Sequence, residues 1–384
     1  MRIAYITADP GVPVFGSKGC SIHVQEVLRA LAGRGAQIEL FATNCAGEPA
    51  GLGQVRLHPL PPAPKGDLAF REQKCLLANE PLRAALEREG PFSLVYERHS
   101  LWSFAAMEYA RASGTPGLLE VNAPLIDEQA EHRGLVDRAG AERATERALS
   151  ATMALVAVSD EVAEYLASFP AAQGKVHVVP NGVNPGRFPP DLKPSLPAPP
   201  GTFTVGFAGS MKPWHGLGTL LEAFARLHDA NPESRLLLVG DGAGRQPLAA
   251  EASSRGLGAA VQFTGAVAPG DVPGLLASMD VGVAPYPSVA NFYFSPLKVY
   301  EYMAAARPVV ASRVGQLEKL IEPEVTGLLV PPGDVTALAS GLERIRREPE
   351  LGLRLGRAAR AKVLRHHTWD GAVQRILELA RLQL

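Results

Sequence analysis

The feature that most constrains the fold is an alternation of short apolar runs with longer amphipathic runs along almost the whole chain. In the first half, the short runs are RIAYIT, IELFATN, SLVYER, GLLEVN, ALVAVS and VHVVPNG. In the second half, they are TVGFAG, LLLVGDG, VQFTG, VGVAPYP, PVVAS and TGLLVPPG. Apolar runs of this length predict strands, and the amphipathic runs between most of them predict helices. Repeated strand–helix units favour parallel sheets with helices on both faces, so the predicted class is doubly wound α/β.

A proline-rich segment divides the alternation into two halves. Six prolines lie between Pro189 and Pro200, which is too many for a helix or a central strand. A chain of 384 residues is long enough for two hydrophobic cores. Ligands bind beyond the carboxyl ends of parallel strands, so we expect the site in a cleft between two domains. The predicted division is an N-terminal Rossmann-like domain (1–188), a linker (189–201), a C-terminal Rossmann-like domain (202–365) and a C-terminal helix (366–384), for which a return to the first domain stays open.

Charge and cysteine content exclude several classes of protein. The formal net charge of -1 gives no overall field that would favour nucleic acid or an anionic membrane. Cys20, Cys45 and Cys75 form neither a zinc pattern nor a disulfide framework, so we expect a reducing, cytoplasmic compartment and no metal. The start MRIAYITADP predicts a strand rather than a signal peptide, and no run approaches the ~18 apolar residues of a membrane span. Peripheral membrane contact stays open.

A glycine-containing turn follows the first strand of each half. FGSKGCSIHVQEV places Gly16 and Gly19 before a helix, whose N–H groups suit a phosphate or a sugar hydroxyl. A flexible loop is the alternative there, and the standard GxGxxG fingerprint is absent. AGSMKPWHGLG combines Gly209 with Lys212 and His215. Backbone N–H groups with one or two cations favour a diphosphate cradle after this strand.

A lysine and a glutamate stand together in the otherwise apolar stretch SPLKVYEYMAAARPVV. Lys298 and Glu301 are three residues apart and therefore share one helix face. A buried charge is costly unless it has a partner, so each residue needs an explanation. A cation facing a diphosphate and a carboxylate accepting from two ribose hydroxyls would explain both. A plain intrahelical Lys–Glu pair is the alternative.

These motifs together resemble those of the retaining glycosyltransferases of family 4, over essentially the full length. The matching segments are VVPNGVNPGRF, VGDG, FTG, PLKVYEYMAAARPVV and TGLLVPPGD, in the family's order. The resemblance implies the GT-B fold, in which two Rossmann-like domains face an interdomain cleft. It also implies transfer of a hexose-type sugar from a nucleotide-diphosphate donor, UDP-sugar by default, with retention, by a front-face mechanism and without metal or cofactor. YERHSLWS and LEVNAPLIDEQ are similar to a bacterial subgroup that serves polysaccharide or glycoconjugate assembly.

The resemblance also implies roles for single residues. Lys212, Lys298 and Glu301 would be catalytic, with the lysines on the leaving diphosphate and the glutamate on the ribose. The acceptor would be a saccharide, a lipid-linked compound or a small molecule, chosen by the loops at 15–21, 64–79 and 122–135; no nucleic acid is expected. The donor-side candidates are Gly16, Gly19, Gly209, Ser210, His215, Gly240, Asp241, Gly265, Ala266, Ser295, Pro296 and Leu297, and the acceptor-side candidates are His23, His99, Glu120 and Asn122.

The sequence departs from the family pattern at several of these positions. Tyr293 stands where the family often has a first glutamate that contacts the donor sugar. Ser210 and His215 stand where Arg and Lys are usual, and Asn122 replaces a histidine of domain one. Two alternatives therefore stay open beside the transferase: a nucleotide-sugar epimerase of the same architecture, and a non-catalytic nucleotide-sugar-binding partner protein.

Overall fold

Two parallel sheets organise the computed structural model, which describes residues 1–49, 51–62, 65–289 and 292–383. The chain divides into two units. Unit 1 comprises Met1–Asn181, Tyr293–Ser295 and Trp369–Leu384, and unit 2 comprises Gly182–Phe292 and Pro296–Thr368. Both sheets are doubly wound, so the α/β class expected from the sequence is confirmed.

The sheet of unit 1 has the strand order β3-β2-β1-β4-β5-β6-β7, with all neighbouring strands parallel. Ile6 of β1 lies opposite Phe41 of β2 and Glu97 of β4. The sequence did not predict β3, whose short run RLHP lies at the sheet edge and ends in proline. The strands are Arg2–Thr7 (β1), Gln37–Ala42 (β2), Arg56–Pro59 (β3), Leu94–Arg98 (β4), Gly117–Val121 (β5), Ala154–Ala157 (β6) and Val176–Val178 (β7).

The sheet of unit 2 has the order β10-β9-β8-β11-β12-β13 and is also parallel throughout. Its six strands are the six runs predicted for the second half of the chain. Their near-continuous apolar content matches strands that helices cover on both faces. They are Phe203–Ala208 (β8), Ser234–Val239 (β9), Val261–Gly265 (β10), Val281–Ala284 (β11), Val309–Ser312 (β12) and Leu328–Val330 (β13).

Helices follow most strands in both units. A glycine follows the end of the first helix: Gly35 has a φ of 83°, and its N–H donates to the Ala32 carbonyl at 2.9 Å. In unit 1 the helices are Gly19–Gly33 (α1), Leu68–Leu77 (α2), Asn79–Glu89 (α3), Ala105–Ser113 (α4), Leu125–His132 (α5), Arg138–Ala151 (α6) and Asp160–Ala167 (α7). In unit 2 they are Leu217–Ala230 (α8), Arg245–Ser254 (α9), Val272–Ala277 (α10), Leu297–Ala304 (α11), Leu317–Leu320 (α12), Val335–Arg347 (α13) and Pro349–His366 (α14); Trp369–Leu379 (α15) belongs to unit 1.

The unit limits differ from the domain limits inferred from the sequence. The proline-rich segment 189–201, predicted as a linker, lies within unit 2. Its Ser195 N–H donates to the Gly274 carbonyl at 2.9 Å and its Leu196 N–H to Ser278 Oγ at 3.0 Å. These hydrogen bonds give the proline-rich chain a fixed path that composition could not reveal. Among the described residues, no helix is long and apolar enough to cross a membrane.

Candidate functional site

The candidate donor site lies at the carboxyl ends of β8, β9 and β10 and at the start of α11, all within unit 2. In this sheet β8 lies between β9 and β11, so the chain connections diverge to opposite sides at that point. Such a topological switch point is where open α/β sheets bind their ligands. The turn after β8 and the first turn of α11 therefore lie at the position that the fold favours for a ligand.

The turn after β8 depends on two glycines with positive φ. Gly209 has a φ of 138° and Gly216 a φ of 68°. A Cβ on Gly216 would lie 1.7 Å from the Pro285 carbonyl oxygen, so no other residue fits without moving the backbone. The exposed Lys212 places its ammonium 5.4 Å from the Trp214 ring centroid. Gly216 precedes α8, whose first turn has no side-chain cap, so its N–H groups remain suited to an anion.

Lys298 is the most unusual charged residue of this site. The residue is only 9% exposed, and among the described residues its ammonium has no hydrogen-bond partner. The Nζ atom lies 3.9 Å from the Phe207 ring centroid and 5.3 Å from that of Tyr286. A Cβ on Gly209 would lie 3.1 Å from Nζ, so this glycine gives the ammonium its space. Burial lowers the pKa of Lys298 to about 7, because the aromatic faces replace only part of its hydration.

His215 contributes a dipole rather than a second charge. Its Nδ1 donates to the Ser210 carbonyl oxygen. Burial, and then the nearby charge of Lys298, lower the pKa of His215 to about 3. The ring is therefore neutral near pH 7. Of the two cations expected at this turn, Lys212 remains a cation, whereas His215 carries no charge near pH 7.

Glu301 pairs with an arginine rather than with the neighbouring lysine. Arg187 Nη1 donates to Glu301 Oε1 at 2.8 Å, and Arg187 Nη2 donates to the Pro269 carbonyl at 2.7 Å. Lys298 makes no ion pair with Glu301, so the intrahelical pair kept as an alternative is not formed. The partner that the sequence demanded for Glu301 thus lies 114 residues earlier in the chain.

The turns after β9 and β10 bring backbone close to the turn after β8. Gly240 has a φ of 126°, and a Cβ there would lie 2.2 Å from the Gly209 carbonyl oxygen. The Asp241 carboxylate accepts from the Gly242 N–H at 2.7 Å, which is a turn-stabilising contact. Gly265 has a φ of 72° and ends β10, and Ala266 follows it in the chain.

The segment before α11 is divided between the two units. Pro296 and Leu297 form the N-cap and first residue of α11 in unit 2. Ser295 groups with unit 1, where its carbonyl accepts from Asn181 Nδ2 at 2.9 Å. Tyr293 also groups with unit 1, and its hydroxyl donates to Glu128 Oε2 at 3.1 Å. In this structure Tyr293 therefore contacts a side chain of the N-terminal half.

In unit 1, three of the four acceptor-side candidates meet in a buried network. His23 Nε2 lies 2.8 Å from Glu120 Oε1, and Asn122 Nδ2 donates to the same oxygen at 2.6 Å. The Tyr96 hydroxyl donates to the other oxygen. Burial alone would raise the pKa of Glu120, but His23, Arg98 and Asn122 together lower it to about 2. The carboxylate is therefore ionised and held by its neighbours.

The side chain of His99, the fourth acceptor-side candidate, forms no hydrogen bond with this network. It is 4% exposed, and neither ring nitrogen has a hydrogen-bond partner among the described residues. Burial, with a smaller effect of Arg98, lowers the pKa of His99 to about 4.

Gly16 and Gly19 lie at the start of α1; the Gly16 carbonyl accepts from Gln25 Nε2 at 2.8 Å.

A cavity of about 910 Å³ opens in unit 1 beyond β1 and β4. Its lining draws on all three loop regions expected to choose the acceptor, although residue 64 lies outside the described residues. The lining includes Leu101 and Trp102 as apolar walls and Lys18, Arg71 and Lys74 as cations. None of the four acceptor-side candidates named from the sequence belongs to this lining.

A group of potential metal ligands lies elsewhere in unit 1. One ligand atom each of Glu39, His58 and Glu89 lie within 4.8 Å of one another. Arg2 Nη2 lies 2.8 Å from Glu39 Oε1, and Arg56 Nη1 lies 3.6 Å from Glu89 Oε2. Because both carboxylates already have cationic partners, we interpret this group as an ion-pair network rather than a metal centre.

Comparisons with known proteins match both halves of the chain. Residues 17–187 match the family model described as Glycosyltransferase Family 4, and residues 202–348 match the model described as Glycosyl transferases group 1. A D-inositol 3-phosphate glycosyltransferase from Stackebrandtia nassauensis is 30% identical over 94% of this chain and 85% of its own length. The chain belongs to glycosyltransferase family 4.

Solved structures agree with the GT-B fold of this family 4 protein. Sucrose-phosphate synthase from Thermosynechococcus elongatus superposes with a TM-score of 0.74 at 24% identity, covering 99% of this chain and 98% of that one. Anabaena HepE, solved with UDP and glucose, gives a TM-score of 0.73 at 19% identity and covers 98% of both chains. The family 4 protein is a glycosyltransferase enzyme with the GT-B fold, as the resemblance predicted.

Sequence reasoning missed two features of this family 4 enzyme. Arg187 was not singled out, although it lies in VVPNGVNPGRF, a segment that carried the resemblance. The presence of an arginine within a segment that matches the family could have identified Arg187 as a candidate. The cations of the unit 1 cavity were missed because Lys18 and Arg71 are far apart in the chain and come together only in the fold.

Proposed function

We propose that this glycosyltransferase transfers a hexose-type sugar from a nucleotide-diphosphate donor, with UDP-sugar as the default, to an acceptor hydroxyl with retention of configuration. The observation that carries the proposal is the buried ammonium of Lys298, which has no hydrogen-bond partner among the described residues. A buried cation is unfavourable unless an anion can reach it, and a diphosphate has the charge to do so.

The proposed mechanism assigns stabilisation of the leaving group to unit 2. Negative charge grows on the diphosphate as the sugar departs, and Lys298, Lys212 and the N–H groups of the first turn of α8 would stabilise it. His215 can help only through its dipole, because it is neutral. In a front-face reaction the leaving phosphate also takes the proton of the acceptor hydroxyl. The two lysines supply the charge, so the proposal includes no metal and no cofactor.

For the acceptor, we favour a small phosphorylated polyol held in the unit 1 cavity. Relatives at 30% and 29% identity are D-inositol 3-phosphate glycosyltransferases, whose name indicates such a compound. Lys18, Arg71 and Lys74 line the cavity, together with the acidic residues Asp9, Glu72 and Glu128. These cations suit a phosphate. A cytoplasmic location, expected from the cysteine pattern, is part of the proposal.

Calorimetric titration with UDP, GDP and ADP tests the donor side. We expect one nucleotide to bind wild type at micromolar strength and Lys298→Met to bind it at least tenfold more weakly, because a charged contact is lost. Turnover in Lys298→Met should fall by roughly a hundredfold. Lys193→Met, which removes an exposed lysine of the same unit, is the matched control and should behave as wild type.

Two results would contradict the proposal. One is the absence of binding of all three nucleotides to wild type. The other is equal binding to wild type and Lys298→Met. Release of nucleotide diphosphate that requires an added acceptor, such as inositol phosphate, would separate transfer from epimerisation and from binding without catalysis.

A further inference from the structure

Arg187 makes two contacts that join separate parts of unit 2. It ends the short 3-10 turn Pro185–Arg187 and donates to the Glu301 carboxylate at 2.8 Å and to the Pro269 carbonyl at 2.7 Å. Glu301 lies on α11, whereas Pro269 lies in the loop that follows β10. One guanidinium therefore connects a helix and a loop that are 32 residues apart in the chain.

The base of the Arg187 side chain is itself held in place. The next residue, Phe188, is fully buried, and its ring centroid lies 5.6 Å from the Arg187 guanidinium carbon. The Phe188 carbonyl accepts from Arg360 Nη2 at 2.7 Å. Arg360 also donates to the Ala304 carbonyl at the end of α11. The turn that carries Arg187 is thus fixed to the same helix that carries Glu301.

We infer that Arg187 is a positioning residue that fixes the ribose-binding carboxylate relative to the base-binding loop. The inference rests on the proposed function and on two roles that the family resemblance implies, which we adopt here: Glu301 binds the ribose, and the backbone of Gly265 and Ala266 contacts the base. These two residues open the loop that Arg187 holds at Pro269. Arg187 contacts neither the base nor the sugar in this account; it acts through the groups that do.

The chemistry of the two side chains fits this role. A guanidinium is a planar fork with five N–H donors, so it can serve a carboxylate and a carbonyl at once. A carboxylate has about four acceptor positions, so a contact with Arg187 still leaves acceptor capacity for ribose hydroxyls. The pair is 19% and 17% exposed at the side chains, which limits screening by water. A lysine at this position would keep the charge but could not reproduce both directed contacts.

The test compares binding of a ribonucleoside diphosphate with its 2′-deoxy form, which lacks one hydroxyl that Glu301 would accept from. The nucleotide is the one that wild type binds, UDP by default. The variants are Arg187→Met, Arg187→Lys, Glu301→Ala and the Arg187→Met/Glu301→Ala double variant. Arg226→Met is the matched control, because it removes an exposed arginine of unit 2 that pairs with Glu222 at 3.2 Å.

We expect wild type and Arg226→Met to prefer the ribose form by about tenfold, the usual effect of one charged hydrogen bond. Arg187→Met should lose most of this preference, and Arg187→Lys should recover part of it. The double variant should be no weaker than Glu301→Ala, because both residues act as one unit. A merely structural arginine would lower the midpoint of thermal unfolding but leave the ribose preference unchanged.

The outcomes separate this inference from the proposed function. If wild type binds no nucleotide, both are overturned. If wild type binds but does not distinguish ribose from deoxyribose, the ribose role of Glu301 and this inference fail, while the diphosphate role of Lys298 stands. If wild type distinguishes them and both Arg187 variants keep the full preference, the inference alone is overturned. If Arg187→Met does not fold, the ribose preference of Arg187→Lys tests the inference instead.

Discussion

Nucleotide binding is expected to take up a proton at alkaline pH, and Lys298 is the reason. In the ligand-free protein, burial lowers the pKa of Lys298 to about 7, from an ordinary value of 10.5. A diphosphate beside the ammonium favours the charged form and returns the pKa towards or above its ordinary value. At pH 8 the free lysine is about one-tenth protonated and the bound lysine almost fully protonated, so about 0.9 proton is taken up. At pH 6 the uptake falls to about 0.1 proton.

Calorimetric titrations in two buffers with different ionisation enthalpies measure this quantity directly. The number of protons taken up is the slope of the observed binding enthalpy against the ionisation enthalpy. The terminal phosphate of the nucleotide has a second pKa of about 6 and is already deprotonated at pH 8, so it contributes little to the proton uptake at that pH. Affinity should also weaken by about fivefold from pH 7 to 8 and by about tenfold per unit above that.

Lys298→Met provides the control in the same assay. Its proton uptake at pH 8 should be near zero even at nucleotide concentrations that restore binding. The ligand-free variant should also be more stable than wild type at pH 7. An unfolded lysine binds a proton up to pH 10.5, whereas the folded one releases it above about 7, so this residue destabilises the native state below pH 10.5. Uptake below about 0.3 proton by wild type at pH 8, or equal uptake by the variant, would refute the argument.

Two further substitutions test the local structure. Gly216→Ala places a Cβ 1.7 Å from the Pro285 carbonyl oxygen at a φ of 68°, so it should lower the free energy of unfolding by more than about 3 kcal/mol. Gly218→Ala, which has open space around it, is the control and should be neutral or slightly stabilising. Equal midpoints of thermal unfolding for the two variants would contradict the steric argument. In wild type, the ionised Glu120 contributes about 3 kcal/mol to the free energy of unfolding above pH 4.5, and this contribution is lost as the pH falls towards 2; Glu120→Gln should remove it. Denaturation monitored by tryptophan fluorescence at several pH values measures this. If the free energies of unfolding of the two proteins change with pH in parallel, the argument is refuted.

The fold could be predicted from the sequence because its strands are covered on both faces. Such strands are continuous apolar runs, and twelve of the thirteen described strands were predicted in this way. The exception, β3, is a four-residue edge strand with two exposed ends, so its sequence carries no such run. The path of segment 189–201 could not be predicted either, since the hydrogen bonds of Ser195 and Leu196 depend on residues about 80 positions away.

The candidate site was predictable in its position but not in its pairing. The spacing of Lys298 and Glu301 predicted one helix that carries both, and both lie on α11 in the structure. Helix geometry allowed a contact between the two, which was kept as the alternative, whereas Glu301 pairs with Arg187. Likewise, His23, Glu120 and Asn122 were named as separate polar candidates, and only the fold brings them onto one carboxylate. Long-range partners of charged groups are the part of a site that one sequence does not encode visibly.

The contrast between Lys298 and Glu120 explains how a charge can be recognised as functional. Both side chains are buried, and burial opposes the charge of each. Glu120 is surrounded by His23, Tyr96 and Asn122, so the protein itself stabilises its charge and the pKa falls. Lys298 contacts aromatic faces and has no hydrogen-bond partner in the described part of the chain. Its pKa also falls, which for a lysine means that the charge is destabilised. A protein gains no stability from such a lysine, so its place at a topological switch point supports the proposed role in binding an anionic ligand over a role in the fold.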